Sequence, residues 1–162
     1  MSASLVLKGG MVVNPDAMSV ADVVIADGRI VEVGDNLTAD KVIDAQGKYV
    51  SSGFVDLHTH LREPGKEEAE TIETGSRAAA LGGYTAVVAM PNTDPTQDNV
   101  DTVRFVAAQG RRAGLCEVQP SGSITIGRLG RALVPFEVLA REGVTLFTDD
   151  GTGVQDAMLM RR

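Results

Sequence analysis

Gly53-Phe54-Val55-Asp56-Leu57-His58-Thr59-His60-Leu61-Arg62-Glu63-Pro64-Gly65 is the stretch on which the reading of the fold turns. Its first half is a short, mainly apolar run, as a strand entered from a glycine should be. Its second half carries both histidines of the chain, an arginine and a Pro-Gly turn signal. Residues i and i+2 of an extended strand point to the same side, so His58 and His60 present two imidazoles together. Zinc favours nitrogen donors of this kind at about 2.0–2.1 Å. The plainer reading is two ordinary polar residues at a strand exit.

Moving outward, apolar strand runs begin near Phe54, Thr85, Leu115 and Val144. Their spacing of about thirty residues is that of repeated βα units. Runs such as Ala86-Val87-Val88-Ala89-Met90 are apolar throughout, which fits parallel strands covered on both faces. The segments between them read as helices. The first is Ala-rich and ends at Gly82-Gly83. In the second, Val103, Val106, Ala107 and Gly110 share one face, Asp98 can cap the start and Gly114 suits the turn beyond the end. In the third, Leu129, Leu133, Phe136 and Ala140 share a face and Gly143 follows. Gln155 to Arg162 reads as the start of a fourth helix.

Four consecutive βα units predict an α/β chain holding the first half of a (β/α)8 TIM-type barrel over 53–162. Complete barrels need about 250 residues, so the expectation is a truncated barrel and a chain that is a fragment. A flavodoxin-like sheet is the structural alternative. Barrel active sites lie at the C-terminal ends of the strands, which is where His58 and His60 fall. Before residue 53 the style differs. Leu5-Val6-Leu7, Met11-Val12-Val13, Val23-Val24-Ile25, Ile30-Val31-Glu32-Val33 and Lys41-Val42-Ile43 are strand candidates, and Asp27-Gly28 is a hairpin turn signal. Residues 1–52 are expected to form a small β domain.

The other strand exits add polar groups. Arg62, on the loop after the histidines, is a fork for a substrate carboxylate, or else a surface ion-pair partner of Glu63 or Glu67. Asn92, in Met90-Pro91-Asn92-Thr93, offers a donor and an acceptor at the same rim, or else caps the next helix. Asp149-Asp150 at the fourth exit places two carboxylates side by side, which a cation or hydrogen bonds must offset; an Asx turn is the plainer reading. The four lysines, Lys8, Lys41, Lys48 and Lys66, all precede the second barrel strand, so no carboxylated lysine can bridge metals at the fourth exit.

Composition narrows the classes. A chain 43% hydrophobic and 23% charged is ordinary for a globular protein, and a net charge of −7 argues against nucleic acid or an anionic membrane as partner. Arg62, Arg111, Arg112, Arg128 and Arg131 are local exceptions to that charge and read mostly as solvated surface charges. One cysteine, Cys116 in an apolar stretch, excludes an internal disulfide framework and reads as a small buried residue. No signal-peptide pattern and no apolar run of membrane-spanning length is visible, and a cytoplasmic location is expected.

The run DLHTHLREPG, then GG-Y-T and VVAMPNTDPT, then LFTDDG, resembles the amidohydrolase superfamily and, within it, the dihydroorotase family with aspartate at the fourth strand. The resemblance covers nearly the whole chain, and it implies that residues 1–52 belong to a small β-sandwich domain preceding the barrel. It implies one or two zinc ions, with His58, His60 and Asp150 as ligands and Asp149 as the weaker candidate. Arg62 and Asn92 are implied to hold the substrate carboxylate. The implied reaction is the reversible cyclisation of N-carbamoyl-L-aspartate to L-dihydroorotate in pyrimidine biosynthesis. Implied partners are that small-molecule substrate, a second copy in a homodimer, or aspartate transcarbamoylase. A hydantoinase or allantoinase activity and a non-catalytic subunit scaffolding aspartate transcarbamoylase are the alternatives. The family also uses two later histidines and a late general-base aspartate, which are expected beyond residue 162. The 162 residues alone are therefore expected to be inactive. Dihydroorotate hydrolysis by purified chain with added zinc should match a metal-only control, and turnover well above that control would refute the expectation.

Overall fold

The computed structural model describes residues 4–161. Two compact units divide the chain, Met1–Ser52 and Gly53–Arg162.

The first unit is one mixed sheet. Strand β1 (Leu5–Val13) pairs antiparallel with β2 (Met18–Ala26), which pairs antiparallel with β3 (Arg29–Gly34). Strands β4 (Lys41–Asp44) and β5 (Tyr49–Val50) pair in parallel with β1. The hairpin expected at Asp27-Gly28 forms with φ of 49° and 71°, positive at both central residues as a type I′ turn demands. The two short strands expected before residue 14 are instead one strand. Gly9, at φ 67°, takes up the irregularity between Leu7 and Gly10 as a bulge, so Lys8-Gly9-Gly10 bends the strand without ending it. Val12, Ala21 and Val23 form the buried cluster, with Leu7, Ile25 and Val50 against it.

The second unit follows the expected alternation. Strand β6 (Phe54–Thr59), helix α1 (Ile72–Leu81), strand β7 (Tyr84–Ala89), helix α2 (Val100–Ala113) and strand β8 (Glu117–Pro120) build a parallel sheet of order β6-β7-β8. Consecutive strands are neighbours, unlike the flavodoxin-like order, in which the first strand lies between the second and third. Thr71 and Thr74 form a capping box at the start of α1. Asn99, not Asp98, caps α2: its side chain accepts the Thr102 N–H, while Asp98 accepts the N–H of Gly127 at 2.8 Å. Gly114 closes α2 in the left-handed conformation at φ 62°, as expected. Ile72 and Val106 pack with Val87, Ala89 and Val118 of the sheet, and Leu61 joins the same cluster.

The third helix is shorter and turned differently from expectation. A 3-10 turn spans Ile126–Arg128 and leaves Leu129 exposed, and α3 covers only Phe136–Arg141 with Leu139 as its buried anchor. Three glycines between residues 122 and 130 break the periodic pattern into a loop. The fourth strand is reduced to one parallel bridge between Gly122 and Phe147. Gly122 donates to Leu146 O at 2.9 Å and accepts from Thr148 N at 2.9 Å, whereas Ser121 donates to Ala89 O on the other side. By alternation Pro120 faces the same way as Gly122, and proline has no N–H for the next rung. A short helix, α4, covers Ala157–Met160. Among the described residues no helix is long and apolar enough to cross a membrane.

Asp22 ties the first unit together. Its carboxylate accepts from Lys8 Nζ at 2.7 Å, Gly9 N at 2.8 Å and Leu37 N at 3.0 Å. The Lys8 hydrogen bond, then the Gly9 amide, hold its pKa below the ordinary carboxyl value of 3.8. A carboxyl depressed in the folded state stabilises above its unfolded pKa, and that contribution is lost as pH falls through the folded value. Asp22→Asn should therefore lower the urea midpoint at neutral pH, with the gap to wild type closing below pH 3.8; a gap that is constant with pH would refute this.

Candidate metal centre

The strand exits of the second unit meet in one cluster. His58 lies within β6 and His60 one residue past its end. Asp56 Oδ1 accepts the His58 N–H at 3.0 Å, and buried Leu61 anchors the chain just beyond His60. The two rings stand 5.2 Å apart, centre to centre, inclined at 70°. Asp150 arrives from the fourth exit. Its Oδ1 lies 3.2 Å from His58 Nε2 and its Oδ2 lies 3.6 Å from His60 Nε2. One donor atom from each of the three residues falls within 4.8 Å of the others.

The adjacent aspartates divide their work. Asp149 is buried and accepts from Ile124 N at 2.8 Å, Thr125 N at 3.0 Å and the Thr125 hydroxyl. Those donors compensate a buried carboxylate without a metal. No backbone N–H among the described residues donates to the Asp150 carboxylate, which faces the histidines.

Asn92 bridges His60 and Asp150. Its Nδ2 donates to Asp150 Oδ2 at 3.1 Å, which a carboxylate requires because it only accepts. Asn92 Oδ1 then faces His60 Nδ1 at 3.1 Å, so Nδ1 carries the proton. With its one proton on Nδ1, the form in which an imidazole ligates a metal, His60 turns the Nε2 lone pair towards Asp150 Oδ2, 3.6 Å away. A cation suits the space between those lone pairs, and two imidazole nitrogens with one carboxylate oxygen form a donor set that zinc accepts. The capping alternative for Asn92 does not hold, since Asn99 caps α2.

Arg62 sits on the loop after His60 with φ of 59°. Neither suggested ion-pair partner engages it: Glu63 accepts the Ile72 N–H at 2.8 Å and Glu67 accepts the Gly65 N–H at 2.8 Å. Gly65 is required here. Its φ is 99°, and an added Cβ would lie 2.2 Å from Asp94 O of the loop after β7. Arg128, expected as a solvated surface charge, is instead half-buried and donates from Nη2 to Asp150 O at 2.6 Å. That contact spans 22 residues, and no local pattern signals it. A cleft of about 460 Å³ lined by Glu63, Thr71, Glu73, Gln109 and Arg112 contains none of the three donors.

Parallel βα units with imidazole and carboxylate donors gathered at their strand exits define a metal-site architecture on an α/β frame. The family model described as "Dihydro-orotase-like" matches residues 47–162. The chain is 46% identical over 159 residues to a dihydroorotase of Macrococcus caseolyticus, covering 97% of this chain and 37% of that protein. It is 50% identical over 144 residues to a dihydroorotase of Streptomyces coelicolor, covering 86% of this chain and 34% of that one. Among solved structures it resembles the L-hydantoinase (dihydropyrimidinase) of Arthrobacter aurescens, with a TM-score of 0.73, 25% identity, and coverage of 88% of this chain and 32% of that one. The chain belongs to the dihydroorotase-like family. It spans little more than a third of the length of the curated relatives it matches.

Removing the two carboxylates should have opposite costs. Asp149→Ala strands three donors and should cost at least about 2 kcal/mol of stability. Asp150→Ala should leave the metal-free stability within about 0.5 kcal/mol of wild type. Urea titration of both variants checks the pair, and equal losses would refute the division of roles.

Proposed function

We propose that this chain carries the zinc-binding strand exits of a dihydroorotase, which interconverts N-carbamoyl-L-aspartate and L-dihydroorotate. The observation that carries the proposal is the convergence of His58, His60 and Asp150 within 4.8 Å, with Asn92 bridging His60 Nδ1 and Asp150 Oδ2. In this reading those three residues hold one zinc ion or contribute to a two-zinc site. When bound, zinc polarises a carbonyl and brings the pKa of water to about 7, which makes a nucleophile available at neutral pH.

The chain's own residues bind and orient the substrate and the metal ligands. Arg62, a guanidinium without an ion-pair partner among the described residues, receives the substrate carboxylate as a fork. Asn92 uses one N–H on Asp150 and keeps a second for the same carboxylate. Asn92 also holds the His60 proton on Nδ1, away from the metal side. The lysine positions exclude a carboxylated lysine at the fourth exit, so Asp150 takes that place.

Gly53–Arg162 corresponds to the first four βα units of a (β/α)8 barrel, supported by the consecutive order β6-β7-β8 and by the exposure of Phe54, Val55 and Leu57 on β6. Met1–Ser52 corresponds to part of a β-sandwich, supported by the exposure of Ile30, Val31, Val33, Val42 and Ile43 on its sheet.

Saturation-transfer NMR of N-carbamoyl-L-aspartate with the zinc-loaded chain tests the carboxylate site. Arg62→Met should weaken binding about tenfold or more, the loss of one charge-assisted hydrogen bond. Equal binding by both proteins, or no zinc uptake by wild type, would overturn the proposal.

A further inference from the structure

The loop between β8 and the fourth exit hydrogen-bonds the chain at both Asp149 and Asp150. The Arg128 guanidinium donates from Nη2 to the Asp150 carbonyl at 2.6 Å. The Thr152 hydroxyl donates to Asp149 O at 2.8 Å and to Arg128 O at 3.3 Å, closing the turn from the other side. Asp149, one residue earlier, is gripped by Ile124 and Thr125. The loop itself is pinned by Asp98, which accepts the Gly127 N–H, and by Thr125, whose Oγ1 accepts the Gly130 N–H at 2.9 Å.

Arg128 takes an unfavourable conformation to make this contact. Its φ is 58°, a left-handed backbone that residues other than glycine seldom adopt, and it directly follows Gly127 at φ 61°. Its Nε is buried with no hydrogen-bond partner among the described residues. An arginine serving only as a solvated charge needs neither feature. Strain of this kind persists where the surrounding structure over-determines a residue.

We propose that Arg128 is a positioning residue: by holding the Asp150 carbonyl it aims the Asp150 carboxylate at His58 and His60 and so sets the affinity of the three-donor metal site. The proposal rests on the reading of that cluster as a metal site. It carries a sign that electrostatics alone does not. A guanidinium beside a divalent cation repels it, so removing the charge should tighten metal binding unless the lost alignment of Asp150 costs more.

Zinc affinity of the full chain, measured by competition with a chromophoric chelator, decides the matter. Arg128→Gly suits the left-handed backbone and removes the side chain; Arg128→Met keeps the bulk without the donor. Both should bind zinc about 10–100-fold more weakly than wild type, the usual loss when a partner behind a ligand is removed. Arg128→Lys, which keeps one donor but not the planar fork, should fall between them and wild type. The visible bands of the cobalt-substituted chain should change in the Gly and Met variants and return towards wild type in Lys. Unchanged or tighter zinc binding in whichever of Arg128→Gly and Arg128→Met retains the wild-type circular dichroism would overturn the positioning role. Failure of wild type to bind zinc, or undiminished binding by His58→Ala, would overturn the metal reading itself.

Discussion

Parallel pairing of β6, β7 and β8 is the constraint from which the site follows. In a parallel sheet every strand runs the same way, so every exit loop emerges at one edge. The residues after β6 and β7 are thereby brought together although 32 positions separate His60 from Asn92. The βα connections that enforce this direction are themselves anchored by burial, with Ile72 of α1 and Val106 of α2 sealed against Val87, Ala89 and Val118. Leu61 belongs to that same core while His60, its neighbour, faces the cluster. Core packing and donor placement are thus set by consecutive residues.

The fourth exit shows a different solution. Its strand is almost absent, because Pro120 removes a rung and only the Gly122–Phe147 bridge remains. Side-chain hydrogen bonds supply what the ladder does not. Asp149 takes three donors from the Ile124–Thr125 segment, and Arg128 takes the carbonyl of Asp150. A buried carboxylate with a complete donor shell thereby acts as an anchor, and its neighbour is left to face two imidazoles. Two imidazoles and one carboxylate then offer a donor atom each within 4.8 Å, a set whose chemistry suits a metal ion.

Most of the second unit was legible in the sequence because its signals are local. The apolar face of Val103 and Val106 and the closure of α2 at Gly114 depend on residues within a few turns of one another, and each strand run is read from its own few apolar residues. The third helix was misread for the opposite reason. Leu129 and Leu133 continue the helical spacing, but the glycines around Arg128 and the burial of Val134 and Leu139 pull the chain into a loop and a shorter helix. In the first unit Leu5-Val6-Leu7 and Met11-Val12-Val13 read as two strands, where pairing with β2 on one side and β4 and β5 on the other carries one strand through as a bulge.

The sequence by itself determined which chemistry is available: two imidazoles two residues apart at a strand exit, an arginine beyond them, an asparagine and a pair of carboxylates at later exits, and no lysine to take the place of Asp150. Those are properties of residue type and short spacing. Tertiary structure decided which of the two carboxylates turns to the histidines, which nitrogen of His60 carries the proton, and that Arg128 holds Asp150. Each of those depends on a hydrogen bond between residues 22 to 58 positions apart. Contacts at that range leave no periodicity in the chain, and only the folded sheet brings their partners within reach.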